Sequence, residues 1–419
     1  MRRVLMVAFH FPPGAGSSGV QRTLRFVQHL PALGWQPIVL TAAPRAYERT
    51  GPDLTTEIPE GVAVERAFAL DSARHLSIGG RYPSFLARPD RWISWRLAAV
   101  PAGMRLIREY RPDVIWSTYP IATAHLIGYA LQHRSGLPWI ADFRDPMAQD
   151  GYPEDPRTWS SFKRIEQRAV THARFSIFVT PGAARTYRAR YPEASDRIVV
   201  IENGFDADSF EGLAEDRSRN EPLNPGKVTL VHSGIVYPSE RDPAQLFAAM
   251  RQMVERGALR RGDLRIRFRA AGHDARLRAL ARENGVEDLI EILPPVPYRA
   301  ALEEMIRADG LLVLQAANCN DQIPAKLYEY LRAGTPIIAL TDPRGDTAGV
   351  LRDAGIGESA RLDSADEIAA LLPRFVAAVR ENRVPRADTG YVAGASRRQR
   401  AASLAALLDQ ACAAERSDG

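Results

Sequence analysis

Lys326 and Glu329 lie three positions apart in "DQIPAKLYEYLRAGTPIIAL" (321–340). Pro324 opens and Gly334 closes a short helical pattern there, with Ile323, Leu327, Tyr330 and Leu331 as its buried stripe. Residues three apart share a flank of a helix, so this cation and carboxylate sit together beside the stripe. On an arbitrary exposed helix they would form an ion pair worth roughly 0.3–0.5 kcal/mol. At the amino end of a helix on the ligand edge of a sheet, the same pair would meet a polar or anionic ligand. The surrounding elements decide between the two.

Other stretches carry related chemistry. In "HSGIVYPSERDPAQLF" (232–247) a strand leads through Gly234 into a loop with Tyr237 and Arg241, then a helix near Pro243. Glycine lets a phosphate approach the backbone, and arginine supplies a two-pronged cation. "AAGHDARL" (270–277) repeats the strand-to-helix turn at Gly272, with His273 as a loop or capping residue. "ADFRDP" (141–146) offers Asp142, Arg144 and Asp145 after another strand. "GAGSSG" (14–19) matches the dinucleotide pattern G-x-G-x-x-G, but "HFPP" separates it from its strand. The second strand ends in "VLTAAP", without the acid that would hold a ribose, which argues against a nicotinamide site. Gly14 and Gly16 then serve close backbone approach, ahead of a helix containing Arg22. "DAD" (206–208) follows "IENGF" and reads as turn chemistry, and no cofactor or metal is expected.

Short apolar runs alternate with helical patterns along the chain. They predict strands at "RVLMVAF", "QPIVLTA", "VAVERA", "DVIWST", "PWIADF", "FSIFVT" and "RIVVIEN", then at "KVTLVHSG", "LRIRFRAAG", "IEILPPV", "GLLVLQ" and "PIIAL". Nearly continuous Val, Ile and Leu between helices marks parallel sheets covered on both faces. The expected fold is α/β, with two doubly wound Rossmann-like domains facing one another across a cleft. The expected boundaries are 1–207, a polar linker 208–226, 227–390, and a terminal helical segment 391–419. In such sheets ligands lie beyond the carboxyl ends of the strands, which is where Lys326 follows "GLLVLQ".

The 419 residues are 45% hydrophobic and 25% charged, ordinary for a globular protein. Cys319 and Cys412 are too few for a disulfide framework, which fits a reducing, cytoplasmic setting. The opening apolar run is too short for a signal sequence, and no stretch approaches about 18 apolar residues. The net charge of +5 includes seven arginines within 81–112, interleaved with Trp92 and Trp95. No nucleic-acid module accompanies them, so nucleic acid is not expected as a partner. The pattern fits either an anionic membrane surface, placing the protein peripherally on the inner face of the plasma membrane, or a solvated helix with inward tryptophans.

Together, "FHFPPGAGSSGVQRTLRFVQHLPALGWQPIVLT", "VIENGFD" and "ADGLLVLQ…IPAKLYEYLRAGTPIIAL" resemble the retaining family 4 glycosyltransferases of the GT-B fold over most of the chain. The family's acidic pair separated by seven residues appears as Asp321 and Glu329. Its arginine and lysine after the first donor-domain strand correspond to Ile235 and, approximately, Arg241. The resemblance implies transfer of a sugar from a nucleoside diphosphate to an acceptor hydroxyl with retention, in glycan or polysaccharide assembly, without a metal. Arg241, Lys326, Asp321, Asp142 and Asp145 would be catalytic. Gly234, Tyr237, Gly272, Val296, Ala325 and Glu329 would hold the nucleotide-sugar donor, with Glu329 on the ribose. Gly14, Gly16, Arg22 and Arg144 would hold a glycan, lipid-linked or small-molecule acceptor. Two other readings are an epimerase or hydrolase of the same fold and a non-catalytic sugar-nucleotide-binding protein.

Overall fold

A computed structural model describes residues 1–15, 18–51, 54–213 and 221–413. The chain forms two compact units, Met1–Asn203 with Arg397–Gly419, and Gly204–Ser396. The chain therefore passes between units at 203/204 and 396/397, rather than at the expected 207/208 and 390/391.

The first unit is built on seven strands: β1 (Arg2–Ala8), β2 (Trp35–Ala42), β3 (Ala63–Ala67), β4 (Val114–Thr118), β5 (Trp139–Arg144), β6 (Phe175–Phe178) and β7 (Ile198–Val200). They lie in the order β3-β2-β1-β4-β5-β6-β7 with every pairing parallel. Successive side chains of a strand point to opposite faces, so β1 feeds two cores. Leu5 and Val7 pack with Ile115 and Trp95 on one face, while Val4, Met6 and Ala8 pack with Trp116 and Leu404 on the other.

The second unit has six strands: β8 (Val228–Ser233), β9 (Leu264–Arg269), β10 (Ile290–Leu293), β11 (Gly310–Leu314), β12 (Ile337–Leu340) and β13 (Ser359–Ala360). Their order is β10-β9-β8-β11-β12-β13, again all parallel. Leu312 and Leu314 of β11 enter one core, and Leu311 and Val313 the other. Strand order reverses between β1 and β4 in the first sheet and between β8 and β11 in the second. The carboxyl ends at those two reversals are the places where a doubly wound sheet opens to a ligand.

Two expectations about the chain's margins change. Phe210 and Leu213, inside the expected linker, are buried in the second unit's core. The helix Arg397–Ala413 packs on the first unit, where Ala401, Leu404 and Leu408 join the core beneath β1. The Trp35 indole donates to Asp409 at 2.8 Å, and Arg400 pairs with Glu202 at 2.5 Å, fixing that helix. No helix among the described residues is long and apolar enough to cross a membrane.

Candidate functional site

At the second unit's strand reversal, β8 ends in Gly234, whose φ of +134° strains any residue with a side chain. A Cβ there would meet open space, so the backbone conformation alone calls for glycine. The loop that follows folds Arg241 back on itself. Its guanidinium donates to the Ile235 carbonyl at 2.9 Å and lies 5.4 Å from the centre of the Tyr237 ring. One N–H is thus committed, and arginine carries five. Gly272, with φ +78°, lies beside Ile235: a Cβ added there would meet the Ile235 side chain at 3.4 Å. Val296 is half-buried in the loop after β10.

After β11 the chain reaches the helix Lys326–Ala333, opened by Ala325 and closed by Gly334 at φ +63°. Ile323, Leu327, Tyr330 and Leu331 are buried as the spacing requires. Lys326 and Glu329 do pair, at 3.0 Å, but not as an exposed surface pair. Glu329 is buried and also accepts from the Tyr298 hydroxyl at 2.9 Å, while the Lys326 side chain remains 37% accessible. Lys326 also lies 5.6 Å from the centre of the Tyr298 ring. An ammonium has three donors, so Lys326 keeps capacity for an anion beyond its bond to Glu329.

The two loops at this edge are tied together. Ala316 donates to the Glu240 carbonyl at 2.7 Å and Asn318 to that of Ser239 at 2.9 Å, linking the Arg241 loop to the one entering the helix. Buried Gln315 holds that second loop from inside, donating to the carbonyls of Cys319 and Gln322 at 2.7 and 2.9 Å. Asn320 fastens it to Asp342 at 2.8 Å. Asp321 stands exposed on the crest. Arg344 and Asn320 hold the Asp342 carboxyl far below the usual range. Tyr298, Gln315 and Asn320 were not singled out from the sequence, because their partners come from other elements.

At the first unit's reversal the expected roles divide. Asp142 is inaccessible, and both its oxygens face Arg22, at 2.9 and 3.2 Å. Thr118 gives Asp142 a further bond at 3.2 Å. Arg22 also donates to the carbonyls of Ile201 and Glu202, at 3.0 and 3.2 Å. Neither residue presents its charge to a ligand as expected; both join the helix Ser18–His29 to β5 and to the chain after β7. Arg144 sits at φ +61°, a strained position for a residue with a side chain, and the Asp145 N–H closes a tight turn onto Phe143 at 2.7 Å. That turn exposes Asp145 while surrounding protein desolvates its carboxyl and raises its pKa, with Arg144 opposing. His10, at the end of β1, is lowered to about 4 by burial and by Arg144, so it is neutral at neutral pH. Gly14 lies in a cavity of about 230 Å³ with Phe9, His10, Tyr47 and Trp92. Gly16 lies outside the described residues. A larger cavity of about 520 Å³ in the second unit, at the amino end of β12 beside Ile337 and Phe375, is remote from that unit's strand reversal.

The loop carrying Asp145 is held from below by Glu166. This buried carboxylate accepts from the Ala148 N–H at 3.0 Å, the Tyr191 hydroxyl at 2.7 Å, Lys163 at 3.0 Å, Arg190 at 2.8 Å, and Tyr187. Burial pushes its pKa up, but the bonds from Tyr187, Ala148 and Tyr191 outweigh that and hold it below the usual value. Its contribution to stability is therefore full above the unfolded carboxylate range and lost as pH falls through the lower folded value. Glu166→Ala leaves its donors facing a void, and the unfolding free energy in urea should fall by about 3 kcal/mol or more.

Trp92 and Trp95 turn inward rather than outward. Trp95 is buried with its indole on the Thr41 carbonyl at 3.3 Å, and Trp92 donates to Ala46 at 3.0 Å. The "DAD" turn closes locally, with the Ser209 hydroxyl on Asp206 at 2.8 Å.

Residues 18–209 match the model of Glycosyltransferase Family 4. A D-inositol 3-phosphate glycosyltransferase from Geodermatophilus obscurus is 26% identical over 381 residues, covering 84% of this chain and 78% of that one. Among solved structures, a trehalose 6-phosphate synthase from Burkholderia multivorans superimposes with a TM-score of 0.68 at 12% identity, covering 100% of this chain and 98% of that one. The Anabaena protein HepE in complex with UDP-glucose gives 0.60 at 13% identity, covering 100% of both. Those two likenesses establish the fold.

Proposed function

We propose that the chain, whose residues 18–209 match the model of Glycosyltransferase Family 4, carries out a metal-independent transfer of a sugar from a nucleoside diphosphate to an acceptor hydroxyl, with retention at the anomeric carbon. One observation carries the donor side: Arg241 follows β8 and Gly234, Lys326 opens the helix that follows the adjacent β11, and both cations act on buried His232 of β8. Departure of a nucleoside diphosphate builds negative charge on its β-phosphate. Fixed cations and helix amides aimed at that charge stabilise the transition state more than the ground state. Glu329, held by Tyr298, has oxygen lone pairs left to accept from a ribose hydroxyl. HepE was solved with UDP-glucose, which supports a nucleotide-sugar donor for a chain of this fold.

In the reaction the bond from the anomeric carbon to phosphate oxygen breaks, and one to the acceptor oxygen forms on the same side. The acceptor hydroxyl then lies beside the departing phosphate, whose new charge can take its proton. Asp145 is the accessible carboxylate at the first unit's reversal and the better placed of the two candidates to orient an acceptor hydroxyl. Arg144 supports it.

Product analysis with radiolabelled donor tests this. Transfer to an added acceptor, with the donor's anomeric configuration kept by NMR, is expected, and free altered sugar would indicate the epimerase or hydrolase reading. Turnover should also persist in EDTA, because the cations are side chains. Loss in EDTA restored by Mg²⁺ or Mn²⁺ would overturn the metal-free part alone.

A further inference from the structure

The segment between Glu65 and Glu109 is a second surface with its own chemistry. It holds eight arginines, and its only carboxylates are Asp71 and Asp90. Both acids are held within the fold, Asp71 against Arg91 at 3.7 Å. Asp71 is fully buried, and Asp90 accepts from the Thr123 N–H and hydroxyl at 2.8 and 3.0 Å and from the Trp92 N–H at 3.0 Å. Four large apolar side chains in or beside this segment point into solvent: Ile78 at 88%, Leu97 at 80%, Phe85 at 68% and Phe68 at 49% accessible.

These residues are drawn together by the fold. The Ser94 hydroxyl exchanges bonds with the Leu70 N–H and carbonyl, bringing the start of the Leu97 helix beside Phe68. Ser72 bonds the carbonyls of Leu86 and Arg91, tying the turn that carries Phe85 to the chain just after Leu70. Ile78 and Arg81 pair across a tight turn, and the Arg45 guanidinium lies 5.6 Å from the centre of the Phe68 ring. Inward Trp92 and Trp95 anchor this layer to the sheet through Ala46 and Thr41. Acids from neighbouring segments offset three of these arginines, Glu48 at Arg91, Glu65 at Arg105 at 2.8 Å and Asp155 at Arg88 at 3.9 Å, and the part of the face around Arg45, Arg81 and Arg96 is cationic and apolar at once.

We propose that this face docks on an anionic lipid bilayer, with Phe68, Ile78, Phe85 and Leu97 entering the interface and Arg45, Arg81 and Arg96 on the headgroups. Exposed aliphatic and aromatic side chains gain by leaving water for the acyl boundary, which a nucleic acid does not offer. Arginines near an anionic leaflet add attraction that falls off within a Debye length. The inference stands apart from the sugar-transfer reading, since it concerns residues outside both strand reversals.

The test is sedimentation of the full chain with vesicles of phosphatidylcholine alone and with about one-third phosphatidylglycerol. Pelleting with the anionic vesicles only, and release by salt, is expected. Arg81→Ser with Arg96→Ser should lower partitioning about thirtyfold, at about 1 kcal/mol for each charge. Phe85→Ser with Leu97→Ser should lower it at least tenfold while leaving the melting temperature unchanged. Equal pelleting with neutral and anionic vesicles, no pelleting, or binding indifferent to both double variants would overturn the proposal. Concentration-dependent self-association lost in the apolar variant, without vesicle binding, would assign the face to a second copy of the chain instead.

Discussion

Lys326→Ala should lower turnover a hundredfold or more while the protein melts at its usual temperature. A cation about 4 Å from a developing phosphate charge contributes roughly 4 kcal/mol at an effective dielectric near 20, about a thousandfold in rate. Part of that is recoverable, because Arg241 and the helix amides remain, which sets the expected loss nearer the lower figure. The fold should not suffer, since the Lys326 side chain is 37% accessible and its bond to Glu329 is a short-range helical pair. Steady-state kinetics should show the loss in kcat more than in donor KM, because the interaction strengthens as the leaving group departs. Near-normal kcat would leave Lys326 as a partner of Glu329 and nothing more.

The architecture was legible because parallel strands covered on both faces must be apolar throughout. "DVIWST" and "GLLVLQ" announce β4 and β11 by that rule, and both lie at strand reversals. β13, only two residues long, left no such run. The helix 326–333 was legible too, with its stripe, its glycine stop and its flank pair, since all of these are local. What escaped was whatever depends on a partner far along the chain. An amphipathic terminal helix says that one face is covered but not by what, and here Trp35 and β1 cover it from more than 360 residues away (|i−j| = 374 for Trp35 and Asp409). Trp92 and Trp95 showed the same ambiguity: their neighbours fixed the basic character of the segment, but only the sheet fixed which way the rings turn. Tyr298 could have been found by asking what would hold Glu329, yet many aromatic residues meet that description in the sequence alone.

The clearest case is the pair of carboxylates at "ADFRDP", which the sequence could not tell apart and the structure separates. Asp142 is inaccessible and chelated by Arg22, 120 residues earlier, whereas Asp145 is exposed on a strained turn. Asp142→Ala should therefore act on stability first. It leaves a guanidinium buried without its counterion, a change that typically costs about 3–5 kcal/mol. For a unit of this size that lowers the melting temperature by about 10 °C, at roughly 2–4 °C per kcal/mol. Replacing both partners by apolar residues of similar volume, Arg22→Met with Asp142→Leu, should restore much of the loss, because neither charge is then stranded. With Arg144 and Asp145 retained, that double variant should keep measurable transfer to acceptor, while Asp145→Asn should melt normally and transfer poorly. If Asp142→Ala instead melts like the parent and abolishes transfer, the buried carboxylate is acting on the substrate and the assignment to Asp145 falls.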